Sequence, residues 1–291
     1  MSKARKLQLP DLKRKSREGT PLTMITCYDY SMANLVERAG IDIVLVGDSL
    51  GMTLLGFDST LPVTMEDMVR HTSAVRRGAP SRFLIGDLPY MSYQPSDETA
   101  IRSAGRLMAE GGSDAVKLEG GREVLPRVRA IVAAGIPVMG HIGLTPQSAS
   151  ALGGFRLQGK TAAAAARIVE DAALLEEAGV FAILVELVPD RVCEAIAAAA
   201  GIPIIGLGSG PHAHGQLLIF HDLFGLYPDF TPRMAKRYRD VGAILLEGLE
   251  EYAADVRERR FPGEGSEHSF AMPEEEVAAF ERGSGIRREP S

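Results

Sequence analysis

The sequence predicts an α/β protein in which eight parallel strands, with helices between them, close into a (β/α)8 or TIM barrel. Short apolar runs recur eight times along the chain, and an amphipathic or alanine-rich segment follows most of them. Most of these runs are apolar at consecutive positions, which is typical of parallel strands that are buried on both faces. An open, doubly wound sheet is the alternative, and the number and spacing of the strands favour the barrel.

The elements can be placed along the chain from their apolar runs, caps and breakers. Thr64 followed by Asp67 resembles a capping box and predicts the start of one helix. The strands are expected at residues 23–28, 41–46, 83–87, 114–119, 137–141, 181–186, 203–207 and 217–220. The helices are expected at residues 31–39, 64–77, 97–111, 122–134, 161–178, 191–200 and 232–259.

The ends of the chain differ in composition from its middle. The basic amino-terminal segment lacks the apolar stretch of a secretory signal, and alternating charges with Pro10 favour a surface helix over a transit peptide. No internal boundary suggests a second domain. We therefore expect residues 1–270, including the amino-terminal helix, to form one barrel domain. Residues 271–291 are expected to form a polar, flexible tail.

Composition restricts the class of protein and its partners. With 45% hydrophobic and 24% charged residues among 291, the chain has an ordinary globular composition. The net charge of −6 comes from acids spread along the chain, so no basic face for nucleic acid is expected. No apolar run approaches the roughly 20 residues that span a membrane. The two isolated cysteines indicate a reducing compartment, so we expect a cytoplasmic protein.

Ionisable residues stand at the carboxyl ends of five neighbouring predicted strands. Catalytic groups collect at this end of a (β/α)8 barrel, and buried charges are costly unless they have partners. Lys117 and Glu119 are two residues apart and therefore share one face of their strand. The connection after Asp48 extends to Thr64, whereas ordinary βα connections have roughly 2–6 residues. The candidate site residues are Asp48, Asp87, Lys117, Glu119, His141 and Glu186.

The acids in this set predict a magnesium site. Asp48, Asp87 and Glu119 offer only oxygen ligands, which suit Mg²⁺, and water and substrate would complete its coordination. Each acid alone could instead cap the next helix. Lys117 and Glu119 could likewise form a structural ion pair, and His141 could be a core histidine. Their occurrence together at one end of the barrel favours a functional site.

Six segments, in this order, resemble the ketopantoate hydroxymethyltransferase family. The segments are VGDSLGMTLLGFDSTLPVT at 46–64, HTSAVRRGAP at 71–80, GDLPYMSY at 86–93, KLEGG at 117–121, GHIGLTPQS at 140–148 and PGE with EHSF at 262–270. The succession of VGDSLGM, STLPVT and HTSAVRRGAP is highly specific. The resemblance covers residues 23–270. It implies a barrel of the phosphoenolpyruvate/pyruvate-like group that assembles as a homo-oligomer, a decamer in this family.

The resemblance also implies a reaction and its metal. Enzymes of this family transfer a hydroxymethyl group from 5,10-methylenetetrahydrofolate to 3-methyl-2-oxobutanoate and form 2-dehydropantoate, which belongs to pantothenate and coenzyme A biosynthesis. They require Mg²⁺, which stabilises the enolate of the oxo acid. By motif position, Asp48 and Asp87 match the metal-binding aspartates, and Glu119 matches the third metal-site acid.

The remaining residues take their roles from the same comparison. Glu186 matches the general base, which would remove the weakly acidic proton from C3 of the oxo acid. Lys117 and Ser49 match residues that hold the substrate carboxylate. The residues expected to contact the oxo acid are Asp48, Ser49, Asp87, Lys117 and His141.

The chain departs from the family pattern in two places, and two other functions stay open. His214 stands where the family has an aspartate, and residues 271–291 extend beyond the resemblance. One alternative function is a Mg²⁺-dependent lyase or phosphonomutase acting on a 2-oxo acid in the same barrel group; the STLPVT segment favours the transferase. The other is a binding protein without activity, and the presence of every matched polar residue favours an enzyme.

Overall fold

Eight parallel strands form a closed barrel in the computed structural model. The strands are β1 (Leu22–Thr26), β2 (Ile43–Val46), β3 (Phe83–Asp87), β4 (Ala115–Glu119), β5 (Val138–Gly143), β6 (Ala182–Glu186), β7 (Ile204–Leu207) and β8 (Gly215–Leu218). They pair in chain order, and β8 pairs with β1 to close the ring. The predicted barrel is therefore confirmed, and the open doubly wound sheet is wrong.

Helices follow the strands and also precede the barrel. They are α1 (Leu9–Arg17), α2 (Tyr30–Ala39), α3 (Leu50–Thr53), α4 (Met65–Gly78), α5 (Asp97–Ala109), α6 (Leu125–Ala133), α7 (Ala149–Leu152), α8 (Ala162–Glu177), α9 (Asp190–Ala199), α10 (Phe220–Phe224), α11 (Val241–Arg257) and α12 (Glu274–Ser284). Short 3-10 turns cover Arg122–Val124 and Pro146–Ser148. The capping box of Thr64 and Asp67 is present, and α1 confirms the predicted amino-terminal helix.

Two predicted elements differ from the structure at the end of the barrel. The predicted eighth strand lies two residues too late, because the Phe220 N–H bonds the Thr26 hydroxyl at 3.1 Å and α10 begins there. The sequence predicts the final long helix from residue 232, but it begins at Val241 because the Asp240 carboxylate caps it by accepting from the Ala243 N–H.

The structure describes residues 5–227, 232–263 and 266–284. The chain divides into two compact units, Met1–Arg239 and Asp240–Ser291. The sequence suggests a boundary at residue 270 instead, because the composition becomes polar near there. Within the predicted tail, Glu274–Ser284 is helical, and residues 285–291 lie outside the described ranges. The tail's flexibility stays a prediction. None of the described helices is long and apolar enough to cross a bilayer.

Most strands pack one face inside the barrel and the other against the helices. On β2, Ile43 and Leu45 belong to the interior cluster, whereas Val44 and Val46 pack outward. This alternation follows from the two-residue period of a strand, and it explains why the run is apolar at every position. Leu12 of α1 also joins the interior cluster, so α1 closes the amino end of the barrel.

The same alternation places the ionisable residues. Ile85 points inside, so Asp87, two residues later on β3, continues the inner face. On β4, Ala115 is interior and Lys117 follows at the same period. The inner face of the barrel therefore changes from apolar to charged at its carboxyl end, and Glu186 follows Leu184 on β6 in the same way.

Gly143 is required where β5 approaches β6. It pairs with Glu186 across the two strands, and its φ is +92°. A Cβ at this position would lie 2.1 Å from the Glu186 carbonyl oxygen. Only glycine allows both the positive φ and this close approach.

Gly143→Ala should therefore lower the free energy of unfolding by two separate effects. The left-handed conformation costs an alanine about 1–2 kcal/mol, and the collision with Glu186 should cost about 1–3 kcal/mol more. Gly135→Ala is the matched control, because Gly135 has φ +83° with nothing within 4 Å of a Cβ. Urea unfolding of both variants measures the difference, and equal losses would contradict the collision.

Candidate active site

A cavity of about 990 Å³ lies at the carboxyl end of the barrel. It is bounded by the ends of several strands and by the loops that follow β2 and β5. Every residue that the sequence singled out for a site lines this one cavity. These residues are Asp48, Ser49, Asp87, Lys117, Glu119, His141 and Glu186.

The ammonium group of Lys117 lies at the centre of the charged cluster. Its Nζ lies 2.8 Å from Asp87 Oδ1 and 3.6 Å from Glu119 Oε1. It also lies 3.3 Å from His141 Nδ1. Strand pairing produces this arrangement, since Lys117 faces Asp87 across β3 and β4. Burial alone would lower the pKa of Lys117, but the surrounding carboxylates outweigh burial and raise that pKa above its usual value.

The carboxylates around Lys117 exceed the positive charge available to them. Burial raises the pKa of Asp48 to about 6, and the charge of Glu119 adds to this effect. Burial likewise raises the pKa values of Asp87 and Glu119 to about 7, although Lys117 lowers both. Several carboxylates therefore share one buried cation. A further cation at the cluster would favour their ionised forms.

His141 connects Lys117 to Glu186. Its Nδ1 faces the Lys117 ammonium, which donates, so we assign the ring proton to Nε2. Nε2 lies 3.1 Å from Glu186 Oε2, although the direction between them falls outside hydrogen-bond geometry. Burial and the charge of Lys117 lower the pKa of His141, so the ring is neutral. Burial raises the pKa of Glu186, and His141 partly offsets this rise.

Gln147 is a buried contact residue that reasoning from charged residues missed. Its Nε2 donates to Asp48 Oδ2 and to the Leu88 carbonyl, each at 2.9 Å. Its backbone N–H donates to Glu119 Oε2 at 2.9 Å, and its Oε1 accepts from the Tyr93 hydroxyl at 2.9 Å. Gln147 thus fixes two of the acids through neutral donors. Its position in the GHIGLTPQS segment was a signal that could have identified it. An uncharged loop residue, however, does not stand out in the sequence as a charged residue at the end of a buried strand does.

Ser49 is positioned by a second buried residue. The Ser49 hydroxyl lies 2.8 Å from the Tyr28 hydroxyl. Tyr28 is completely buried, and its burial raises the pKa of the phenol to about 12. The phenol therefore stays protonated and can only offer a neutral hydrogen bond, which holds the Ser49 hydroxyl at the edge of the cavity.

The acids fit a hydrated Mg²⁺ better than an ion held by protein alone. Among the residues that the structure describes, no three His, Cys, Asp or Glu side chains are grouped so as to hold a metal. Magnesium in proteins commonly takes one or two carboxylates, with water and substrate completing six ligands. Asp48 and Asp87 suit this pattern, because the Asp48 N–H donates to Asp87 Oδ2 at 3.1 Å and so places the two residues side by side.

His214, the residue that departs from the family pattern, lies away from this cluster. Its Nδ1 accepts from the Ile204 N–H at 3.0 Å, at the amino end of β7. Burial lowers the pKa of His214, which keeps the ring able to accept. The histidine therefore belongs to the opposite end of the barrel and leaves the carboxyl-end cavity unchanged.

Solved structures share the fold of this chain. A crystal structure of phosphonopyruvate hydrolase in complex with oxalate and Mg²⁺ matches 96% of both chains, with a TM-score of 0.56 and 15% sequence identity. A crystal structure of 2,3-dimethylmalate lyase, a PEP mutase/isocitrate lyase superfamily member, covers 86% of this chain and 98% of its own, with a TM-score of 0.54 and 16% identity. These similarities support the predicted (β/α)8 barrel fold.

Other proteins share far more sequence identity with this chain than these solved structures do. The 3-methyl-2-oxobutanoate hydroxymethyltransferase of Moorella thermoacetica is 51% identical over 270 residues, covering 93% of this chain and 100% of that protein. The enzyme of the same name from a strain of Thermus thermophilus is 52% identical over 256 residues, covering 88% and 97%. The sequence model of the family described as ketopantoate hydroxymethyltransferase matches residues 6–264. The resemblance noted from the motifs is thus confirmed: the chain belongs to the ketopantoate hydroxymethyltransferase family of enzymes.

Proposed function

We propose that the protein transfers a hydroxymethyl group from 5,10-methylenetetrahydrofolate to 3-methyl-2-oxobutanoate and so forms 2-dehydropantoate. The observation that carries the proposal is the charged cluster around Lys117. It combines an ammonium group, carboxylates of the kind that bind Mg²⁺ and a candidate base in one cavity. Membership of the family supports the same reaction.

The oxo acid has complementary groups in this cavity. Its carboxylate suits the Lys117 ammonium and the Ser49 hydroxyl, which Tyr28 holds in place. Asp48 and Asp87 would hold Mg²⁺ directly, and Glu119 would act through water. When bound, the metal ion withdraws electron density from the keto oxygen and so acidifies the neighbouring C3–H.

Glu186 is the proposed general base. It lies in the same cavity, and a buried carboxylate with a raised pKa is a stronger base than one in water. Neutral His141 lies beside one oxygen of this carboxylate, with Nε2 3.1 Å from Oε2, and the second oxygen would be available to the C3 proton. The carbon nucleophile formed at C3 would then bond to the one-carbon unit of the folate. The two bonds from that carbon to the folate nitrogens would break, water would supply the hydroxyl oxygen, and its released proton would go to one of those nitrogens.

We further propose that the chain forms a homo-oligomer, as the family resemblance implies, with a decamer as the expected size. Helix α11 supports an interface, because it carries large apolar side chains that are mostly exposed and would favour burial. They are Ile244, Leu245, Leu246, Leu249, Tyr252 and Val256. Location in the cytoplasm stays a prediction from the two cysteines, which are both buried and free.

The proposed reaction can be tested with purified protein. We expect 2-dehydropantoate from 3-methyl-2-oxobutanoate, methylenetetrahydrofolate and Mg²⁺. Chelation of the metal should stop turnover, because the C3–H is too weakly acidic without a Lewis acid, and added Mg²⁺ should restore it. A coupled reductase assay measures the product. Absence of turnover, together with cleavage of a phosphonate or a four-carbon oxo acid, would instead support a lyase or phosphonomutase.

Glu186→Gln should stop proton removal without preventing substrate binding. The amide keeps the shape of the side chain but cannot accept the C3 proton, so exchange of that proton with D₂O should fall by about 10²–10⁴-fold. NMR of the oxo acid measures exchange in the absence of folate. Glu194→Gln is the control, since Glu194 pairs with Arg191 on the exposed face of α9. Exchange at the wild-type rate in Glu186→Gln would remove Glu186 from the role of base.

Gln147→Leu should weaken both the fold and the metal site. The Leu88 carbonyl and the Asp48 carboxylate would each lose a buried donor, and we expect a loss of about 1–3 kcal/mol in the free energy of unfolding. The Mg²⁺ concentration for half-maximal activity should rise, because Asp48 is no longer oriented. The control is Gln158→Leu, which removes one exposed bond to the Arg156 carbonyl. If the unfolding curves and the Mg²⁺ titration curves of the two variants match, Gln147 does not orient Asp48.

A further inference from the structure

Asp222 is a buried carboxylate that the proposed chemistry does not use. It lies on α10, directly after β8, and its side chain lines the same cavity as Lys117. Only 7% of the residue is exposed. In the eight-strand ring β8 stands opposite β4, so Asp222 and the charged cluster belong to different sides of the barrel mouth.

Asp222 has no partner among the residues that the structure describes. No described side chain or backbone N–H donates to its carboxylate, and no described cation pairs with it. Burial raises the pKa of Asp222 to about 6, with no hydrogen bond or neighbouring charge acting against this rise. A buried carboxylate in this condition is costly unless a ligand supplies the missing donors.

The segment that carries Asp222 is held firmly. The Phe220 N–H donates to the Thr26 hydroxyl at 3.1 Å, which ties α10 to β1. The ring of His221 stacks on Tyr28 with centroids 5.4 Å apart, and Phe220 packs against Phe224. These contacts hold the backbone that carries Asp222, and the residue lines the cavity.

The cavity is larger than the oxo acid requires. At about 990 Å³ it stands at the upper end of the range for drug-sized ligands, roughly 300–1,000 Å³, whereas the oxo acid has only five carbons. Apart from Asp222 and Arg233, the walls in this part of the cavity are mostly apolar. They include Leu207, Leu217, Ile219 and Met234. This part of the cavity suits a flat ring that carries hydrogen-bond donors along one edge.

We propose that Asp222 binds the pterin ring of the one-carbon donor by accepting hydrogen bonds from its 2-amino group and N3–H. These two adjacent donors match the two oxygens of a carboxylate. Apolar side chains would cover the faces of the ring. This inference rests on the proposed function, because it names the residue that recognises the folate.

The test compares Asp222→Asn with wild-type protein. An amide offers only one acceptor oxygen, so the dissociation constant for tetrahydrofolate, measured by anaerobic calorimetry, should rise roughly 10- to 100-fold. Folate-independent exchange at C3 of the oxo acid should stay within about twofold of wild type, because the charged cluster is untouched. Asp58→Asn serves as the control, since Asp58 lines the same cavity but is exposed.

A folate analogue that lacks the 2-amino group sharpens the test. Wild-type protein should bind the analogue about tenfold or more weakly than tetrahydrofolate, whereas Asp222→Asn should discriminate far less. Melting curves show whether the variant folds, and removal of an unpaired buried charge should not lower its melting temperature.

Several outcomes would overturn the inference. Equal folate affinity in wild type and Asp222→Asn would do so, as would equal discrimination against the analogue by both. Parallel loss of exchange and folate binding would place Asp222 at the oxo acid instead. Wild-type protein that neither exchanges the C3 proton nor binds tetrahydrofolate would overturn the proposed function itself, and this inference with it.

Discussion

The buried ammonium of Lys117 is the charge on which the rest of the cavity depends. The register of β3 and β4 sets it beside Asp87, and its Nζ is also within 4 Å of Glu119 and His141. Without it, the buried carboxylates would repel one another at a site that is poorly screened by water. With Lys117 present, the negative charges of the carboxylates still outnumber the positive charge. A further cation would therefore balance the charge of the cluster. The raised pKa values of Asp48, Asp87 and Glu119 in the free protein therefore support the proposed metal site.

Uncharged hydrogen-bond donors bind the carboxylates in addition to the single ammonium group of Lys117. Gln147 supplies hydrogen bonds to Asp48 and Glu119 without adding charge, and its other side-chain contacts are also satisfied. A second cation of the protein at this position would compete with the proposed metal ion for the same oxygens. An amide orients those oxygens and lowers the pKa of Asp48 while leaving its negative charge available. Gln147 therefore has a physical role as a residue that positions ligands.

The sequence predicted most of the fold because the barrel has a strong local signature. Apolar runs such as residues 43–46 indicate strands with two buried faces, and charged residues that follow such runs indicate the mouth of the barrel. Sequence reasoning did not identify Gln147 and Asp222, because neither residue ends a strongly apolar strand. Gln147 is an uncharged loop residue, and Asp222 follows the weak eighth run. The start of α11 was misplaced because apolar periodicity does not reveal a cap, and Asp240 sets that boundary.

The interior of the barrel explains why so many charges can be held with defined geometry. Below the charged layer, alternate strand residues such as Ile85 and Leu184 fill the barrel, and Leu12 of α1 closes the far end. Water can thus reach the cluster only from the cavity side, where substrates enter. Ligands that fill the cavity would displace this water and strengthen every electrostatic interaction beneath them. In the proposed reaction, substrate binding and activation of Glu186 as a base would consequently be coupled, because the ligand that offers the C3 proton would also desolvate the carboxylate that removes it.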